Sequence, residues 1–156
     1  MLPGISAEDC LFADLGVDPG AHGCQSFEAT NFLLTRREFD PSSALILWQI
    51  AIIGVVDYRD PWRPEDGAPG LRVLTDVLLQ RYPPTHEVVI YEAAQFPVCD
   101  PAIQRLPLAS LPQAAVSSIS TLYVPPAFAK PADPDMLARL GLTLSDIRVK
   151  VSSVRE

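Results

Sequence analysis

The sequence predicts an α/β fold in which a mixed sheet is flanked by helices. Three observations carry this. First, the short runs "ALILWQI" (44–50), "HEVVIYEAA" (86–94) and "SISTLYV" (118–124) are almost continuously apolar, as expected of strands buried on both faces. Second, segments with apolar residues at helical spacing lie between such runs, and alternating α and β elements build a sheet covered by helices. Third, 16 prolines interrupt the chain at short intervals. Proline is expelled from helix interiors and central strands, so these positions mark joints between elements.

Taken in order, Ser6 is a good N-cap, and Glu8 and Asp9 place negative charge in the first helical turn. Ala7, Cys10, Leu11 and Leu15 then form one apolar stripe, and Gly16 ends the helix. A loop "VDPGAHG" leads to a short strand at 24–27 and a second amphipathic helix over 28–36, with Ala29, Phe32 and Leu33 inward. The strand at 44–50 follows. "DYRDPWRPEDGAPG" (57–70) reads as an exposed loop, and "LRVLTDVLLQRY" (71–82) as a helix with Leu71, Leu74, Val77, Leu78 and Arg81 at helical spacing. The strand at 86–94 precedes "AIQRLPL", a poorer strand placed at an edge by Pro107. The two are linked too closely for a crossover helix, which makes the sheet mixed. "ASLPQAAV" is a short helical turn. After the strand at 118–124 comes a last helix with Asp133 as cap and Pro134 at its first position. In "DIRVKVSSVRE", Ile147, Val149 and Val151 alternate with charges, the period of an edge strand.

A chain of 156 residues with 48% hydrophobic and 20% charged residues suits one folded domain. The net charge of −7 argues against a nucleic-acid partner. The longest apolar run, Ala44 to Ile53, is broken by Gln49 and is too short to span a bilayer. The first residues show no basic segment followed by an apolar core, so no signal peptide is visible. Cys10, Cys24 and Cys99 are widely spaced, and with His22 and His86 they offer no clustered ligands. The expectation is a cytoplasmic protein with reduced thiols and no metal site.

No nucleophile elbow, P-loop, dinucleotide fingerprint or H-E-x-x-H motif is present. Three places remain unusual. The turn Pro3 to Ser6 enters a helix, whose free N–H groups either are simply capped or attract an anion. Gln49 interrupts "LILWQIAIIG", and a buried amide must either satisfy neighbouring backbone or read a ligand edge. In "YEAAQFP", Ala93 and Ala94 end a strand, and small residues there serve either tight packing or the approach of a flat ring.

Seven segments, "PGISAEDCLFADLGVDPG", "GCQSFEATNFLL", "ALILWQIAIIG", "YPPTHEVVIYEAAQFP", "IQRLPLASLPQA", "ISTLYVPP" and "MLARLGL", resemble in order and spacing the C-terminal part of the tetrapyrrole methylase superfamily. They are most similar to the borosin-type peptide backbone N-methyltransferases, in particular those whose precursor peptide is a separate chain. The resemblance implies a methyltransferase-like domain over 1–142, with 143–156 a short tail or edge strand. It implies S-adenosyl-L-methionine (SAM) as cofactor, lined on its adenosyl side by Gly4, Ile5, Ser6, Gln49, Ile50, Ala93 and Ala94. It implies a homodimer and a precursor peptide, or a small-molecule methyl acceptor. The sequence lacks the Gly-rich strand–loop and the "GHP"-like loop of such enzymes, so the resemblance implies an absent N-terminal domain. No residue matches the family's catalytic tyrosines and arginine, and none is assigned a catalytic role. The alternative is a non-catalytic module that keeps the fold for dimerisation or peptide binding.

Overall fold

A computed structural model describes residues 6–55, 64–96 and 98–147, with only the backbone of 64–67. The order of elements is α1 (Ala7–Leu15), α2 (Pro19–His22), β1 (Cys24–Glu28), α3 (Ala29–Leu34), β2 (Ala44–Trp48), α4 (Pro64–Leu78), β3 (Glu87–Glu92), β4 (Ala102–Pro107), β5 (Thr121–Val124) and α5 (Pro134–Leu140). Two 3₁₀ turns, Ile50–Ile52 and Leu108–Gln113, complete it. The strands form one sheet in the order β1-β2-β5-β3-β4. β1 and β2 are parallel, joined through α3; the other three pairings are antiparallel. The sheet is therefore mixed, with β4 at one edge, in keeping with Pro107.

The three strands read as buried on both faces, β2, β5 and β3, lie side by side in the middle of the sheet. One face carries Leu45, Leu47, Leu122, Val88 and Ile90, packed under Phe32 of α3 and Leu71, Leu74 and Leu78 of α4. Ile46, Tyr123, Val89 and Tyr91 occupy the opposite face, where Leu11 of α1 covers them. Each fully buried leucine stabilises the fold by about 1.5–3 kcal/mol.

Local chemistry explains the helix ends. Ser6 and Asp9 form a capping box, and Gly16 closes α1 in the left-handed region at φ 65°. Glu28 ends β1 and caps α3 in one step, its carboxylate accepting from the Thr30 and Asn31 N–H groups. Asp133 caps α5 with Pro134 at its first position.

Several boundaries differ from the sequence reading. "VDPGAHG" contains the one-turn helix α2, nucleated where the Asp18 carboxylate accepts from Gly20 N–H. α4 begins at Pro64 inside the expected loop 57–70, and Pro69 lies within the helix; residues 56–63 lie outside the described ones. Proline costs an internal helix a hydrogen bond, so packing outweighs propensity here. The helix ends at Leu78, with turns to Tyr82. β5 begins at Thr121, because 117–120 form a turn. In the tail, 144–147 are helical and not an edge strand, and 148–156 lie outside the described residues.

α4 reaches the core because Gly70 carries no side chain. A Cβ there would stand 2.6 Å from Ile53 Cβ and 2.9 Å from its carbonyl oxygen. In an open helix Gly→Ala gains up to about 1 kcal/mol. Here Gly70→Ala is expected to lose about 1–3 kcal/mol through overpacking, read as a lower Tm; an unchanged or raised Tm would refute the close approach. A second prediction concerns Tyr82, whose ring is stacked on Phe39 and whose buried hydroxyl has no hydrogen-bond partner among the described residues. An unpaired buried hydroxyl costs about 1–3 kcal/mol. Tyr82→Phe should therefore leave Tm unchanged or raise it, and a clear fall would mean that the hydroxyl has a partner.

Candidate functional site

The carboxyl ends of β2 and β3 lie at the same end of the sheet, because antiparallel β5 stands between them and makes them co-directional. Ligands of open α/β sheets collect at such ends. A cleft of about 340 Å³ opens there, lined by Trp48 and Gln49 after β2, Tyr91, Ala93 and Ala94 at the end of β3, and Thr121 at the start of β5. Ala7, the first helical residue of α1, closes one side. Two of the three unusual places, Gln49 and Ala93–Ala94, thus border one cleft beside the start of α1, while Pro3 to Ile5 lie outside the described residues.

Their individual roles are less uniform. Ser6 is spent on capping: its Oγ accepts from Asp9 N–H at 3.1 Å and donates to Asp9 Oδ2 at 2.8 Å. That satisfies the third N–H of the helix, not the first two. Gln49 is not the buried amide expected from the sequence. The strand stops at Trp48, and Gln49 is exposed in the left-handed region at φ 59°, ψ 40°. A non-glycine residue adopts that conformation at a cost of about 1–2 kcal/mol. The bend lets Ile50 N–H donate to Ser120 O at 3.3 Å, while the Ile50 side chain is fully buried in the core and does not line the cleft. Ala93 is half-buried and Ala94 exposed, both on the cleft wall. Gly4 and Ile5 lie outside the described residues.

Other residues of the site were not singled out from the sequence. Trp48 donates its indole N–H to Ser26 Oγ at 2.7 Å, and Ser26 donates to Glu8 Oε2 at 3.0 Å. This relay ties the cleft tryptophan to β1 and the first turn of α1. Tyr91 donates to Asp14 Oδ2 at 2.7 Å, a second link between α1 and the sheet. Glu92 accepts from Ser117 Oγ and Ser120 Oγ, each at 2.5 Å, and so anchors the turn before β5 to the end of β3. A cluster of serines ahead of an apolar run, "SSIS", was the available signal for that turn. The partners lie 25 and 28 residues away from Glu92, beyond any local pattern.

Electrostatically the cleft is quiet. Among its described lining residues Tyr91 alone titrates, and burial, then the Asp14 hydrogen bond, hold its hydroxyl protonated well above the usual tyrosine range. Such a cleft suits a neutral flat ring and provides no base. Nearby, burial and then Glu8 push the Cys24 thiol up to about 11, so it stays protonated at neutral pH. The Tyr91–Asp14 bond gives a direct test. Tyr91→Phe should cost about 1 kcal/mol and speed hydrogen exchange in α1 while leaving β3 protected; unchanged α1 exchange would show that the bond does not hold the helix.

Comparison with known proteins adds to this geometry. No protein-family model matches the chain. It is 44% identical over 150 residues to the methyltransferase/cyclic peptide gymnopeptides precursor gymMA1 of Gymnopus fusipes, covering 94% of this chain and 35% of that protein. It is 40% identical over 153 residues to the methyltransferase/type III borosin precursor aboMAa of Anomoporia bombycina, covering 96% and 17%. Identity is also 40%, over 146 residues, to the methyltransferase/omphalotin A precursor ophMA of Omphalotus olearius, covering 91% and 34%. The chain therefore spans about a third or less of the length of these relatives. The resemblance to borosin-type proteins holds over nearly the whole chain. These relatives, by their descriptions, join methyltransferase and precursor in one protein, in contrast to the separate-chain type that the sequence pointed to. Among solved structures, the methyltransferase CobJ matches with a TM-score of 0.49 and 17% identity, over 86% of this chain and 53% of that one.

Proposed function

We propose that this chain is part of a SAM-dependent peptide backbone N-methyltransferase and forms the adenosyl side of its cofactor cleft. The carrying observation is the convergence of the α1 start, the bent end of β2 and the alanine end of β3 on one uncharged cleft. The similarity to borosin methyltransferase/precursor proteins supplies the reaction class.

The residues present fit the group. Ala93 and Ala94 leave room for a flat heteroaromatic ring, and Trp48, held by Ser26, offers an apolar edge. In this reading the first-turn N–H groups of α1, with Gly4, Ile5 and Ser6 leading into them, take polar atoms of the ligand. Gln49 borders the cleft with an amide that has no hydrogen-bond partner among the described residues, and Ile50 contributes through its backbone tie to Ser120. At about 340 Å³ the cleft lies near the lower limit of small-molecule sites, roughly 300 Å³, so it covers only part of such a ligand. When bound, SAM supplies an electrophilic methyl carbon on a sulfonium, and transfer from it gains chiefly from positioning. The acceptor amide is a very weak acid, and Tyr91 remains protonated, so its deprotonation belongs to residues other than the described cleft lining. In the same reading the acceptor is a precursor peptide, the assembly a homodimer and the setting cytoplasmic.

The test is a titration of the labelled chain with S-adenosylhomocysteine followed by NMR. Millimolar-range shifts are expected at the Trp48 indole and at Gln49, Ala93 and Ala94, and Ala93→Leu, which fills the cleft, should abolish them. No shifts at these residues would sink the assignment of the cleft and favour a non-catalytic module.

A further inference from the structure

The opposite face of the sheet carries a second concavity that the methyl-transfer reading does not use. It is a groove of about 680 Å³ between the end of α3 and the end of α4, floored by Phe32, Phe39 and Val77 and lined by Arg36, Arg37 and Arg81. In a chain of net charge −7 this is a local concentration of guanidinium groups. The described ion pairs, Arg105–Glu87 and Lys130–Asp40, engage none of the three. Glu38 is the single carboxylate on the groove wall. Asp40, in the adjoining depression beside Arg81, is already committed: Lys130 and then Ser42 hold its carboxyl well below the usual range.

Two of the arginines lie over aromatic rings. Arg37 stands over Phe27 and Arg81 over Phe39, each with its guanidinium carbon 5.9 Å from the ring centroid. At that distance the ring face attracts the cation and restrains its position.

Arg36 supplies an independent observation. α3 ends in a Schellman motif: Arg37 N–H donates to Phe32 O at 3.1 Å and Arg36 N–H to Leu33 O at 3.2 Å. The position Arg36 fills is the one where glycine is usual, and Arg36 sits there at φ 47°. The fold alone favours glycine at this position, so the arginine carries a backbone strain that its side chain must justify elsewhere.

We propose that this groove binds a small dianionic ligand in which a phosphate monoester is joined to a flat apolar ring. Three guanidiniums against one carboxylate, Glu38, that is unpaired among the described residues match a dianion, and the planar N–H forks suit phosphate oxygens bidentately. The half-buried Leu33 and Val77 lining the groove give the ring its apolar contact. The volume lies within the range of small-molecule sites, about 300–1,000 Å³.

Phenyl phosphate is the probe, with inorganic phosphate as its comparison. Saturable binding of phenyl phosphate in the millimolar range or tighter is expected, at least about tenfold tighter than inorganic phosphate because burying a ring adds apolar contact. It should weaken as salt rises. Arg81→Gln and Arg36→Gly should each weaken it at least about fivefold, the loss of one charge-assisted contact. Arg36→Gly should do so with Tm equal or higher, which separates a lost contact from a damaged fold. The proposal is overturned by absence of saturable binding, by equal binding to Arg36→Gly, or by NMR shifts that fall at Trp48 and Ala93 and not around Phe39.

Discussion

Strand β5 holds the two parts of the sheet together: Leu122 to Val124 pair with β2 on one side, Thr121 to Tyr123 pair with β3 on the other, and all four residues are buried. A strand closed in on both faces and both edges can carry only apolar side chains or polar ones with fixed partners. Leu122 and Val124 feed one core, and Tyr123 feeds the other. The direction of β5 matters as much as its burial. Running opposite to its neighbours, it starts at the sheet end where they finish, and its first residue becomes the floor of the cleft they border.

Apolar packing builds that cleft, but polar links set its walls. Trp48–Ser26–Glu8 joins three elements, Tyr91–Asp14 clamps α1 across the sheet, and Glu92 gathers the turn before β5. Each spans elements distant in sequence, so each constrains a direction that burial leaves free. Hydrogen bonds coupled in this way strengthen one another. The bent backbone at Gln49 is tolerated because Ile50 is fixed on both counts, by its bond to Ser120 and by full burial.

Most of the architecture was legible in the chain because it follows from local rules. Continuous apolar runs gave the three inner strands, Pro107 gave the edge, and Ser6, Gly16 and Asp133 gave helix ends. Of the candidate stretches, Gln49 and Ala93–Ala94 were singled out by local rules and lie on one cleft wall. What escaped was set by tertiary contacts. Pro69 looked like a helix breaker, yet the core-facing leucines and the Gly70–Ile53 approach keep the helix going around it. Gln49 looked buried because its neighbours are apolar, but a left-handed bend turns it out to solvent. The partners of Glu92 and Tyr91 could not be paired from spacing, since nothing in the linear pattern marks a contact across 25 residues for Ser117 or 77 for Asp14.

The edge position of β4 has a consequence for how the protein behaves among its own copies. An outer strand presents a row of unpaired backbone N–H and C=O groups that invites another strand to add on. β4 answers with exposed Gln104, an exposed Arg105 paired to Glu87, and a proline at its last position that has no N–H to offer. Its inward anchor is Leu106 alone of the six. The strand is thus sticky on one side and blunted on the other, a built-in safeguard against ribbon-like aggregation.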